Sequence, residues 1–327
     1  MISEKLGHPM PQDQPMHSGS VIADKEKRWV TLTSLWAAVF ITAFKIMVGL
    51  LTGSLGILAE AAHSGLDLVA ALVTFLAIRI SSKPPDQEHL YGHGKIENLS
   101  ALFETVLLLI TCVWIFYEAS HRLLSHEEKV EVTAWSFIVM STSVVVDYSR
   151  SRALSKAAKK HNSQALEADA LHFETDIWSS LTVILGLICV VIGKRFPSLA
   201  FLSYADTWAA IAVALIVVWV SVRLGMRTIH GLLDTAPEGM EEKIKSIVEA
   251  LPGVVDCHHV RVRSSGPQIF VDIHILVNGN QSLSKAHALT EDIEQAIQLI
   301  SPGADVTVHP EPESETRSEG SESKSLF

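Results

Sequence analysis

Two short patterns of ligand-type side chains stand inside apolar stretches: Ala-His63-Ser-Gly-Leu-Asp67 and Leu-His172-Phe-Glu-Thr-Asp176. Each is a histidine followed four residues later by an aspartate. In a helix, residues four apart share a face one turn apart, so each segment presents one imidazole beside one carboxylate. Two such helices facing each other offer two nitrogens and two oxygens, a complete tetrahedral set for Zn²⁺. Ionisable groups at membrane depth are costly and mark ion paths. A single copy of the pattern would leave open a role in helix–helix hydrogen bonding without metal; two copies in two apolar segments weigh against it.

Two further groups lie outside those stretches. Asp86, His89 and His93 stand at D-x-x-H-x-x-x-H spacing in a polar segment. Three ligands with no evident fourth describe an open metal site, and the same spacing also suits a solvated loop in which Gly92 and Gly94 serve a turn. Nearer the C-terminus, His258, His274, His287 and His309, followed by Glu311, crowd four imidazoles and a carboxylate together. As a set they point to bound metal, with Cys257 and His259 beside them as substitutes. Lys45, Glu60, Glu104 and Asp147 interrupt apolar runs and read as structural, Lys45 either reaching an interface or pairing with an acid. Asp169 and Glu174 flank His172 and read as residues that orient it. His8 and His17 are isolated in a polar tail. Cys112, Cys189 and Cys257 have neither pairing nor CxxC spacing, which argues against a disulfide framework and a thiolate cluster.

These residues need elements to hold them. The chain has 327 residues, is 48% hydrophobic and has a mean hydropathy of +0.29, with its apolar residues in long blocks. A hydrocarbon core of about 30 Å takes about 20 residues of helix. Six stretches read as spans: 30–51, 57–80, 98–124, 132–147, 168–192 and 206–224. The fourth is short and carries Ser136, Ser141, Thr142 and Ser143, which marks a helix facing other helices rather than lipid. An even number of spans puts both termini on one side. Lys25, Lys27, Arg28, Arg79, Lys83, Lys95, Arg150, Arg152, Lys156, Lys159, Lys160, Arg223 and Arg227 all fall there, which makes that side cytoplasmic.

After Asp234-Thr-Ala-Pro237 the texture becomes that of a small soluble domain. Helical spacing covers 240–251, strand alternation 255–263 and 268–277, an amphipathic helix 284–300 and a short strand 305–309. The predicted fold class is an all-α six-helix transmembrane domain plus a C-terminal cytoplasmic α/β domain of order αββαβ, ferredoxin- or metallochaperone-like. The expected divisions are a disordered N-terminal tail (1–28), the membrane domain (29–233), the metal-binding domain (234–311) and a disordered acidic tail (312–327). The net charge of −10 sits mostly in the soluble end and argues against a nucleic-acid partner.

The paired H-x-x-x-D helices, the loop from Asp86 to Glu97 and the αββαβ domain resemble the cation diffusion facilitator family over roughly residues 29–311. The resemblance implies a homodimeric secondary transporter in the lipid bilayer, not an enzyme, that exports divalent transition metals from the cytoplasm in exchange for protons. It implies a transport site at His63, Asp67, His172 and Asp176, and a loop site at Asp86, His89 and His93. It also implies zinc near the dimer interface at His258, His274, His287 and His309. The family usually has Asp where Glu311 stands. Positions matching Lys95 and Asp234 form a charge interlock where the dimer hinges. A histidine at position 63 resembles zinc-selective members, so Zn²⁺ is the expected cargo and regulatory ion; Cd²⁺, Co²⁺, Fe²⁺ and Mn²⁺ remain as alternatives. The segment between the fourth and fifth spans holds only His161 rather than a His-rich loop, which points to a bacterial inner membrane. Two other classes compete: a membrane-anchored metal sensor or scaffold with an inert membrane domain, and a metal-dependent membrane hydrolase. The hydrolase would need an open metal position with a general base nearby, and nothing else in the chain resembles a substrate site.

Overall fold

The computed structural model describes residues 18–125, 134–195 and 205–313 of the 327. Its first part is helical: α1 (Ser18–Thr52), α2 (Leu55–Ser81), α3 (Lys95–Ser125), α4 (Ala134–His161), α5 (Gln164–Arg195) and α6 (Ala205–Leu232). Among the described residues, four segments are long and apolar enough to cross a membrane: Ile22–Thr52, Glu60–Ser81, Lys95–Trp114 and Ala214–Leu232. Trp36, Phe40, Leu66, Ile110 and Trp219 lie exposed on these helices, an outer surface suited to hydrocarbon. The more heavily charged α4 and α5 pack between them, α4 against α1 and α5, and α5 against α3 and α6.

Two helix boundaries differ from expectation for identifiable reasons. α1 begins at Ser18, so residues 18–28 are helical where the sequence reading placed a disordered tail. Lys27 anchors that end: it is buried and its Nζ lies 2.9 Å from Glu97 and 3.3 Å from Asp24. A tether to a residue seventy positions away leaves no local sequence signal. α4 does not end near Asp147 but continues to His161, so the fourth helix is not short and its basic residues are not in a loop. Ala, Leu, Lys and Arg are strong helix formers, and Leu154, Ala157 and Ala158 pack against Ile78, Leu166 and Phe173. The apolar run stops before the helix does. Asn162, at φ 49°, then reverses the chain, and Ser163 accepts a hydrogen bond from the Leu166 amide to start α5. His8 and His17, and the acidic tail from residue 314 onward, lie outside the described residues.

The C-terminal part comprises α7 (Met240–Glu249), β1 (Val254–Ser265), β2 (Gln268–Val277), α8 (Leu283–Ile300) and β3 (Asp305–Pro312). β2 is central, antiparallel to β1 and parallel to β3. A parallel neighbour requires a crossover, which α8 supplies. Val262, Val271, Ile273 and Ile275 face the helices and form a core with Ile244, Val248, Leu289, Ile293 and Ile297. Residues between them point to the opposite face. The register sets His258 opposite His274, and His274 beside His309, so one row of histidines crosses all three strands.

The loop before α3 docks on this domain. A Cβ at Gly94 would lie 2.2 Å from the Ser265 carbonyl oxygen, so the approach requires glycine. The Gly266 amide donates to Asn98 Oδ1 at 3.2 Å, and Tyr91 meets Phe270 edge-on at 5.5 Å between centroids. Lys95 Nζ lies 3.0 Å from Asp234 and donates to the Leu232 carbonyl at 3.2 Å.

Candidate metal centre

The two H-x-x-x-D motifs converge. His63 and Asp67 come from α2, His172 and Asp176 from α5. His172 Nε2 lies 3.2 Å from Asp67 Oδ1 and 3.7 Å from Asp176 Oδ2. His63 Nε2 lies 4.0 Å from Asp67 Oδ1 and 3.8 Å from Asp176 Oδ1. A tetrahedral ion with bonds of 2.0–2.2 Å needs ligand–ligand edges of about 3.3–3.6 Å. The four histidine–aspartate distances bracket that range; His63, Asp67 and Asp176 offer ligand atoms within 4.8 Å of one another, and His172 stands beside both aspartates at the two shortest distances. Asp67 and His172 are buried, whereas the His63 side chain is 40% exposed and closes the cage from its open side. Asp176 Oδ2 is buried without a hydrogen-bond partner, which leaves a lone pair for a cation. Two nearby cations have partners. Lys45 Nζ sits 3.3 Å from Glu60 and donates to Ser64 Oγ at 2.7 Å; Arg150 lies 3.4 Å from Asp147 and stacks 3.5 Å over the Phe173 ring.

The loop trio also assembles. Asp86 Oδ1 accepts from the His89 amide at 2.7 Å and the Glu88 amide at 3.0 Å, with His89 Nδ1 at 3.3 Å. His93 Nε2 stands 3.3 Å from the other Asp86 oxygen. The amide bonds, that from His89 above all, hold the Asp86 carboxyl below its ordinary range and keep it available as an anionic ligand.

In the soluble domain Glu311 reaches the histidine row. Its oxygens lie 2.8 Å from His274 Nδ1, 3.4 Å from His258 Nε2 and 4.0 Å from His309 Nε2. The hydrogen bond from His274 holds the Glu311 carboxyl below its usual range. His287 is not brought to this row within one chain: it lies on α8, on the other side of the sheet, 72% exposed and 3.4 Å from Glu291.

Comparison with known proteins gives the family. The cation efflux transmembrane domain model matches residues 31–233, and the model for the cytoplasmic domain of cation efflux proteins matches residues 236–313. The cation-efflux pump FieF of Cronobacter sakazakii is 31% identical over 286 residues, covering 86% of this chain and 91% of that protein. FieF of Citrobacter koseri is 32% identical over 283 residues, covering 84% and 89%. The chain belongs to the cation diffusion facilitator family. It is accordingly a multi-pass membrane protein of metal cation efflux, with a C-terminal cytoplasmic domain.

Within this cation diffusion facilitator, the two residues offered as substitute ligands in the soluble domain separate. Cys257 is no substitute ligand: it points into the core, and burial pushes its thiol up to about 11, so it stays neutral. His259 does join the row. A bulge between His258 and Arg261 and a left-handed backbone at His259 (φ 49°) break the strand alternation. Ring centroids consequently lie 5.0 Å from His259 to His258 and 5.2 Å from His259 to His274. Around His172, Glu174 is exposed, and the carboxylate within 4 Å of Nδ1 belongs to Glu104, at 3.8 Å. Glu104 read as structural because its distance in sequence hid it; an acid in the middle of α3 was the available signal.

Proposed function

We propose that the chain is a proton-coupled antiporter that exports divalent transition metal, Zn²⁺ foremost, from the cytoplasm. In this reading six helices span the inner membrane, both termini are cytoplasmic, and the soluble domain joins two protomers into a homodimer. Residues 29–233 form the transport unit and 234–311 the regulatory one. His63, Asp67, His172 and Asp176 hold the cargo during transport. Asp86, His89 and His93 hold a second ion, and His258, His274, His309 and Glu311, joined by His259, hold Zn²⁺ in the soluble domain, where His287 stands as the expected contribution at the dimer interface.

The observation that carries this reading is the convergence of two imidazoles and two carboxylates from α2 and α5, among buried surroundings, at separations near those a tetrahedral ion needs. The coupling follows from the donor set. An imidazole must be neutral to bind metal, so a proton arriving from the outer side competes with the cation for the same nitrogens. Release outward and proton entry then become one exchange.

The test is Zn²⁺ flux into proteoliposomes under a proton gradient. Asp176→Ala should abolish flux while leaving the protein folded, and dissipating the gradient should stop flux in the parent. A metal sensor with an inert membrane domain would leave Asp176→Ala without consequence, and normal flux in that variant overturns the reading.

A further inference from the structure

Glu104 stands on α3, a helix that contributes none of the four cargo ligands, and its side chain is fully buried. Thr74 Oγ1, from α2, donates to Glu104 Oε1 at 3.1 Å. The other oxygen, Oε2, is buried with no hydrogen-bond partner, and so is His172 Nδ1. These two unpaired atoms face each other at 3.8 Å. The opposite nitrogen of the same ring, Nε2, is the one turned toward Asp67 and Asp176. When Nε2 offers its lone pair to a cation, Nδ1 carries the ring proton and needs an acceptor. A buried carboxylate is expensive unless something repays it, and buried polar atoms rarely go unpaired.

We propose that Glu104 is a positioning residue for cation transport: it accepts the Nδ1–H of His172 and fixes the tautomer that aims Nε2 at the cargo. An approach of about 1 Å brings the pair to hydrogen-bond length, a movement that binding of a cation at Nε2 would draw from the ring. The assignment also makes α3 a route between the two parts of the molecule. Its first residue, Lys95, is held by Asp234 and the Leu232 carbonyl, and Gly94 abuts Ser265 of the soluble domain. Nine residues of helix, about 14 Å, separate that joint from Glu104. A shift of α3 driven by the soluble domain therefore changes how firmly His172 is held.

This inference rests on the reading that His172 binds the transported cation. The test measures apparent KM and maximal rate for Zn²⁺ in proteoliposomes of the full chain, with thermal melting as a check on folding. Glu104→Leu keeps the volume and removes the acceptor; it should raise KM about 10–100-fold, the usual cost of losing such a support, with a smaller fall in maximal rate. Glu104→Gln retains an accepting oxygen and should recover most of that affinity. An unchanged KM in Glu104→Leu, or Glu104→Gln as impaired as Glu104→Leu, overturns the assignment. If Glu104→Leu fails to fold, Thr74→Val serves instead: it frees Oε1 and should raise KM by a smaller factor, and no rise there is equally decisive against the role. A His172→Ala variant with normal transport would remove the underlying reading itself. Loss of transport in His172→Ala beside an indifferent Glu104→Leu removes only the part given to Glu104.

Discussion

Replacing His63 by Asp should shift transport from small toward larger divalent ions. The structure makes His63 the ligand to change. Its two distances, 3.8 Å and 4.0 Å, are the longest of the four histidine–aspartate separations, and its side chain is 40% exposed against 5%, 12% and 13% for His172, Asp67 and Asp176. The three buried ligands are set by packing, so position 63 can be altered without moving them. Edges near 4 Å correspond to bonds of about 2.4 Å, beyond the zinc range of 2.0–2.2 Å and within that of larger, higher-coordinate ions. Histidine supplies one lone pair in a fixed direction and enforces four-coordination. A carboxylate binds through one or both oxygens and, being shorter, leaves room for water beside the ion. Cd²⁺ tolerates both arrangements. The expected change is at least about tenfold in the ratio of Cd²⁺ to Zn²⁺ flux, equivalent to about 1.4 kcal/mol of discrimination. The assay is paired uptake at matched metal concentrations in proteoliposomes of the parent and His63→Asp. Zn²⁺ flux should persist, because four ligands remain. A ratio that stays level would mean that backbone packing sizes the cage, and the case for Zn²⁺ as preferred cargo would lose its main support.

Two further outcomes are expected. Lys95→Asp and Asp234→Lys should each lose flux and together regain part of it. Recovery stays incomplete because Asp cannot donate to the Leu232 carbonyl and Arg263, 3.9 Å from Asp234, would face a new Lys; undiminished flux in both single variants would reduce the pair to an ordinary exposed contact worth about 0–1 kcal/mol. In the soluble domain, His259→Ala should weaken Zn²⁺ binding to the histidine row about tenfold or more, by analogy with losing a metal-site residue, and His287→Ala should weaken it less if the ion is held within one chain. Calorimetry on the full protein reads both, and the reverse ranking would move the site to the subunit interface.

What the sequence reveals and what it hides divide along the length of the interactions involved. His63 with Asp67, and His172 with Asp176, were visible because four-residue spacing is itself a helix contact, and an apolar setting made each pair costly enough to notice. The row of His258, His274 and His309 was visible as a density of one residue type. Glu104 was visible as an anomaly but not as a partner, since its contact with His172 spans α3 to α5 and no local period encodes that crossing. Lys27 is the same case at the start of α1: its role depends on Glu97, and a polar N-terminal segment looks like a tail until that partner is in place. His259 was hidden for a different reason. Alternation turns consecutive strand residues to opposite faces, so a histidine beside His258 should point away from His274, and only the bulge and left-handed backbone bring it back. Such a backbone is mildly unfavourable for a residue with a side chain, although His adopts it more readily than most. Its presence beside two other metal-type ligands, His258 and His274, is therefore better explained by what the side chain can bind than by what the strand requires.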